Sequence, residues 1–317
     1  MKNIIGKYPY IIAEIGANHN GDMDLAKKLV EKAKEAGCDS VKFQLWNEST
    51  AHTSDYINEL MGKDVLDVDK VSLSTPELGL NNIKDQMSKY KFYKDEHIEI
   101  KEFCDEMEID FASTGMNVPD MYFLKELGVK YFKVASQDTD NPFFLGKIAQ
   151  MDVPTIVSTG LSSLSEIEDA VCAFDGYREN LALLHTVSLY PPKDSIVSLR
   201  KIKTLENLFN VPIGFSDHTI GFSIPLASVA LGAKIIEKHF TLDKNMPGWD
   251  HKVSATPEEM QIICSESKRV VDSLGEFNRD LTEDEIKKKE HFRMSIVTMK
   301  KLSAGNVICE EDVWFKR

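Results

Sequence analysis

Phe215-Ser216-Asp217-His218-Thr219 and, further on, Ile236-Glu237-Lys238-His239-Phe240 decide how the chain is read. The first closes the short apolar run Pro212 to Phe215, the second closes Ala233 to Glu237, and each sets an imidazole where the run stops. Runs of that length, β-branched or aromatic and bounded by turn residues, read as buried strands. Two imidazoles at neighbouring strand ends suit a metal ion, because neutral nitrogens hold the cation and leave its other positions open. Hydrogen-bonded structural histidines satisfy the same pattern, so both readings of His218 and His239 stay open. His19, His185 and His251 are less favoured as ligands, and no third obligatory one stands out.

Working outward, the same kind of run recurs at Tyr10 to Ile15, Ser40 to Leu45, Asp110 to Ser113, Tyr131 to Ala135, Pro154 to Val157 and Leu181 to Leu184. Helical patterns separate them. After Asp22 the residues Leu25, Ala26, Leu29, Val30, Ala33 and Ala36 recur at helical spacing until Gly37. A helix begins near Asp95, another runs from Pro119 to Leu127 and stops at Gly128, and a third spans Pro142 to Met151. Ser163 with Glu166 forms a capping box for a helix towards Phe174, a further helix passes through Pro225 and Ala230, and Thr256-Pro257 with Glu259 opens the last. Eight strand signals alternating with helices predict an α/β fold, a (β/α)8 TIM barrel over residues 1–282. Polar residues follow nearly every strand, as expected when the C-terminal barrel face carries the site; a doubly wound sheet concentrates them at one switch point.

The segment from Trp46 to about Tyr93 is polar and longer than usual βα loops, with Ser74-Thr75-Pro76-Glu77 as a helix start, and is expected to be a lid. Residues 283–317 read as an appendage. Lys287 to Glu290 is a charged helical linker, and Ser295 to Met299 and Val307 to Cys309 are expected as short strands around the turn Ser303-Ala304-Gly305.

Composition narrows the class. The 317 residues are 42% hydrophobic and 28% charged with a net charge of -13, which argues against nucleic acid and against an anionic membrane surface as partners. An anionic substrate must therefore meet locally clustered lysines. Five scattered cysteines read as reduced packing residues and point to the cytoplasm. Met1 to Ile12 has no long apolar core with a cleavage site, and no apolar run reaches membrane-spanning length, so neither export nor a span is expected.

Several polar residues sit where a core residue belongs. Glu14, inside the strand that leads into Gly16-Ala17-Asn18-His19-Asn20-Gly21, is either a lysine-paired carboxylate or a general acid/base. Lys42 and Lys133 lie in mid-strand. Each alone reads as an ion-pair partner, whereas together, with the hydroxyls of Thr114, Ser136, Ser158 and Ser216, they read as a phosphate or carboxylate site. A Schiff-base lysine is the sharper alternative. Asp217 or Glu237 is expected either to orient an imidazole or to pair at the strand ends.

The ordered set AEIGANHNG, VKFQ, FASTG, FKVAS, STG, HTVSLYPP, GFSDHT, EKHF and PGWDHKVSATPEE, from about Tyr10 to the last residue, resembles the sialic acid synthases. These condense phosphoenolpyruvate with an N-acylated hexosamine to make nine-carbon acids of the neuraminic, legionaminic and pseudaminic type. The resemblance implies that His218 and His239 bind a divalent metal, Mn2+ or Mg2+. It also implies that Lys42, Thr114, Lys133, Ser136, Ser158, Ser188 and Ser216 hold phosphoenolpyruvate. Gln44, Asp138, Tyr190 and Asp250 fall where the family meets the amino sugar, and Glu14 on its catalytic carboxylate; Lys42, Lys133 and Asp138 are grouped with Glu14 as catalytic. A synthase acting on a different aldose and a non-catalytic sugar-binding barrel are the alternatives.

The chain departs from the family pattern at Gly115, Thr186, Ser188 and Trp249. Trp249 is expected to narrow the sugar end of the site or stack on it. Arg293-Met294-Ser295 to Arg317 resembles the opening of the family's antifreeze-like domain, which implies a homodimer in which that domain reaches over the partner's barrel.

Overall fold

Eight parallel strands close on themselves in chain order in the computed structural model, which describes residue 1, residues 3–45 and residues 89–317. They are β1 (Tyr10–Gly16), β2 (Ser40–Leu45), β3 (Asp110–Gly115), β4 (Phe132–Val134), β5 (Thr155–Ser158), β6 (Leu181–Thr186), β7 (Ile213–Asp217) and β8 (Ile235–His239). β1 pairs with both β2 and β8, which closes the (β/α)8 barrel. The strands read as near-continuous apolar runs because both faces are covered. Along β6, Ala182 and Leu184 point into the barrel with Tyr10, Ile12, Ala112, Tyr131, Ile156 and Ile235. Leu181 and Leu183 point outward to the helical layer. Met1 and Ile4 join the inner cluster.

The helix signals operate as local chemistry requires. Asp22 accepts from the Leu25 amide at the start of Met23–Ala36, and Gly37 ends that helix with φ 91. Ser163 and Glu166 exchange hydrogen bonds ahead of Leu164–Cys172, as do Thr256 and Glu259 ahead of Pro257–Leu274. Most of the expected lid from Trp46 to about Tyr93, with its helix start at Ser74, falls on residues 46–88, outside the described residues.

Two compact units are present, Met1–Leu274 and Gly275–Arg317, and the last barrel helix, Pro257–Leu274, closes the first. In the second unit Lys287 to Glu290 lies within the helix Glu283–Phe292, opened by a Thr282–Glu285 capping box. Ser295–Thr298 pairs antiparallel with Val313–Lys316, not with Val307 to Cys309. The Asp312 carboxylate accepts from the Cys309 amide and turns Glu310–Asp312 into a tight bend, so the extended partner begins only after it. No helix among the described residues is long and apolar enough to cross a membrane.

Candidate active site at the barrel mouth

Alternation along parallel strands brings the polar residues together, because every second side chain faces the axis. The register sets Glu14 beside Lys42 and His239, Thr114 beside Gln44 and Lys133, and Ser216 beside Glu237. With Ser158 they line one cavity of about 380 Å3 at the C-terminal ends of the strands. At the turn out of β1, Gly16 has φ 54, and a Cβ there would lie 3.0 Å from Glu14 Oε1 and 3.1 Å from Gln44 Nε2. Only glycine lets the chain turn that close to its own carboxylate.

Both lysines are buried and engaged. Lys42 Nζ lies 2.6 Å from Glu14 Oε2 and donates to Thr114 Oγ1 at 2.9 Å, while Gln44 Nε2 donates to Glu14 Oε1 at 2.8 Å. Of the open readings of Glu14, the lysine pair is therefore present. Lys133 Nζ donates to Ser158 Oγ at 2.7 Å and the Val134 carbonyl at 2.9 Å, and stands 3.8 Å from Glu237 Oε1, which accepts from Ser216 Oγ at 2.9 Å. Burial pushes Glu14 above the ordinary carboxylate value against the pull of Lys42. Burial also brings Lys133 down to about 8, opposed by Glu237. For Glu237 the burial effect is outweighed by the Lys133 and Lys42 ammoniums, so its carboxyl is held low.

His218 and His239 face each other with ring centroids 5.6 Å apart. Burial lowers both to about 4, so both are neutral at physiological pH. The Val187 carbonyl accepts from His218 Nδ1 at 2.9 Å, which leaves the lone pair on Nε2. His239 Nδ1 is buried without a hydrogen bond, 3.8 Å from Asp250 Oδ2. The Tyr190 ring stacks on His218 at 4.0 Å and meets His239 at 5.9 Å. Two neutral imidazoles with free lone pairs suit a divalent ion whose other positions are filled from outside the protein. Among the described residues no cluster of three or more His, Cys, Asp or Glu forms a complete cage.

Glu14, Lys42, Gln44, Thr114, Lys133, Ser136, Ser158, Ser188, Tyr190, Ser216, His218, His239 and Asp250 all line this cavity. Asp138 does not. It ends the short turn Ser136–Asp138, in which Ser136 and Gln137 take the wall, and burial raises its carboxyl to about 6 against the Lys133 charge. Trp249 is also off the wall: its ring packs edge-on against Tyr90 at 4.9 Å. It supports the wall rather than forming it. Asp217 makes no direct bond to an imidazole; its carboxylate pairs with Lys238 at 2.5 Å, the strand-end alternative. Sequence reasoning passed over Glu237 as a lining residue, although a carboxylate inside an apolar strand is the signal that singled out Glu14. Met116, Ala135, Gln137, Leu161 and Thr186 also line the wall; of these only Thr186 stood out in the sequence, as a departure from the family pattern.

Residues 29–279 match the model of the NeuB family. The chain is 36% identical to N,N'-diacetyllegionaminic acid synthase of Campylobacter jejuni, over 98% of this chain and 91% of that protein. It is 33% identical to human N-acetylneuraminate-9-phosphate synthase, over 96% and 82% of the two chains. The crystal structure of the N-acetylneuraminic acid synthetase of Leptospira borgpetersenii superposes with a TM-score of 0.75 at 34% identity, covering 90% of this chain and 92% of that one.

Proposed function

The chain belongs to the NeuB family, the sialic acid synthases, and from that premise we propose that it condenses phosphoenolpyruvate with an N-acylated hexosamine in a metal-dependent reaction. The product is a nine-carbon 2-keto acid of the sialic type, formed with release of phosphate for surface glycan synthesis. One observation carries this reading: two buried lysines, a set of hydroxyls and two neutral imidazoles converge on a single barrel-mouth cavity.

The residues divide the work by chemistry. Lys42 and Lys133, with the hydroxyls of Thr114, Ser136, Ser158, Ser188 and Ser216, hold the phosphate and carboxylate of phosphoenolpyruvate. Both lysines face carboxylates in the free protein, so the incoming anion competes with Glu14 and Glu237 for them. Gln44, Tyr190 and Asp250 lie on the wall left for the sugar. His218 and His239 hold Mn2+ or Mg2+, which when bound supplies Lewis-acid polarisation of the open-chain sugar aldehyde. C3 of phosphoenolpyruvate forms the new C–C bond to the aldehyde carbon, whose oxygen takes a proton and becomes a hydroxyl. Water adds at C2, and the C2–O bond breaks to expel phosphate and leave the keto group. Glu14, kept above the usual carboxylate range by burial, moves a proton in this sequence.

The test is phosphate release from phosphoenolpyruvate with Mn2+, against N-acetylmannosamine and the bacillosamine- and altrose-type diacetamido sugars. Release that needs both the metal and one sugar establishes the reaction and names the acceptor. No release with any of them, in protein that binds Mn2+, favours a binding role.

A further inference from the structure

The last residue pair of β7 and β8 carries a polar cluster that the reaction does not use. Asp217 and Lys238 are direct partners in the parallel register. Their neighbours in sequence, Ser216 and Glu237, face the cavity, so alternation sends Asp217 and Lys238 to the outer face of the sheet. There they are sealed, with side chains 0% and 1% exposed. Lys238 Nζ donates to Asp217 Oδ2 at 2.5 Å and to the Thr219 carbonyl at 2.7 Å, and Asp217 Oδ1 accepts from the Thr219 amide at 2.9 Å.

This closed ring of bonds grips the main chain on both sides of His218, and the lysine that makes it is the residue before His239. A buried ion pair is seldom the most stabilising choice for such a volume, since desolvation of both ions offsets their attraction. Its effect here is geometric. We propose that Lys238 and Asp217 are positioning residues that set the spacing and orientation of His218 and His239 for the metal. The proposal rests on the reading that these imidazoles hold a divalent ion.

Asp217→Leu/Lys238→Met removes both charges and fills the volume with apolar atoms; Asp217→Asn/Lys238→Met is the gentler form and keeps an amide oxygen for the Thr219 N–H. Each is compared with the wild-type chain for thermal midpoint, for Mn2+ binding by calorimetry, and for phosphoenolpyruvate binding. A folded variant is expected to lose about tenfold or more in Mn2+ affinity, the scale seen when groups behind metal ligands are removed, while phosphoenolpyruvate still binds. The Asn form should lose less than the Leu form. A variant with the wild-type midpoint and wild-type Mn2+ affinity overturns the proposal, as does parallel loss of both ligands, which marks general damage. If the wild-type chain takes up no Mn2+, the metal reading fails instead. The pair is then judged on the His218 Nδ1–H resonance, which must shift in the variants if the pair positions that ring and stays in place if it does not.

Discussion

Replacing Lys42 with methionine should turn a quiet ion pair into a pH-dependent defect. Lys42 and Glu14 are both 4% exposed at the side chain and 2.6 Å apart, so the substitution leaves a buried carboxylate that has, among the described residues, only Gln44 as a hydrogen-bonding side-chain partner. Removing one member of a buried pair costs about 3–5 kcal/mol. The carboxylate can escape that cost by taking a proton. Burial already holds Glu14 above its ordinary value of 4.5, and Lys42 is the largest influence opposing that shift, so its loss moves Glu14 further up. A carboxyl with a raised folded pKa binds more protons in the native than in the unfolded state, so the native state gains stability as pH falls through that pKa. The deficit of Lys42→Met should therefore be largest at alkaline pH and shrink by up to about 1.4 kcal/mol for each unit of acidification. Urea unfolding of wild type and variant, free of metal, at pH 8, 7 and 6 measures this. Adding Glu14→Gln to Lys42→Met should recover most of the loss, since no charge is then buried. A deficit that is the same at all three pH values, or below about 1 kcal/mol at pH 8, refutes the account.

Three further outcomes are expected. With Lys133 lowered to about 8 by burial, KM for phosphoenolpyruvate should be flat below that pH and rise above it as the ammonium loses its proton, and the break should vanish in Lys133→Met. His218→Ala should abolish Mn2+ uptake in equilibrium dialysis, whereas wild-type uptake should weaken only as pH approaches 4, where both imidazoles take up protons. Gly214→Ala puts a Cβ 2.5 Å from the Ile235 carbonyl oxygen and 2.6 Å from Leu184 Cδ2 inside the barrel, and should cost about 3 kcal/mol in urea unfolding because backbone is the obstacle.

The barrel was legible because its signals are local. Apolar runs of strand length, helices closed by Gly37 and Gly128, and capping boxes at Ser163 and Thr256 each state their own conformation through contacts a few residues apart. The C-terminal hairpin was legible only in part. Val307 to Cys309 has strand composition, yet the bond from the Cys309 amide to Asp312 moves the strand to Val313–Lys316. Asp138 and Trp249 show a different limit. Asp138, just past a strand, is turned from the cavity by the three-residue turn Ser136–Asp138, and Trp249, in the longer loop after the last barrel strand, packs against Tyr90 instead.

By itself the sequence determined that polar residues stand at the ends of buried strands, and period-two alternation then requires that Glu14, Lys42, Lys133, Ser216 and His239 share the inner face. Which charges pair was a tertiary decision. Lys42 meets Glu14, Lys133 meets Ser158 and Glu237, and Lys238 meets Asp217 on the far side of the same strands. The physical reason is register. Neighbouring side chains in sequence point to opposite faces, and partners across the sheet are chosen by strand alignment and barrel closure, which act over distances that no local pattern encodes.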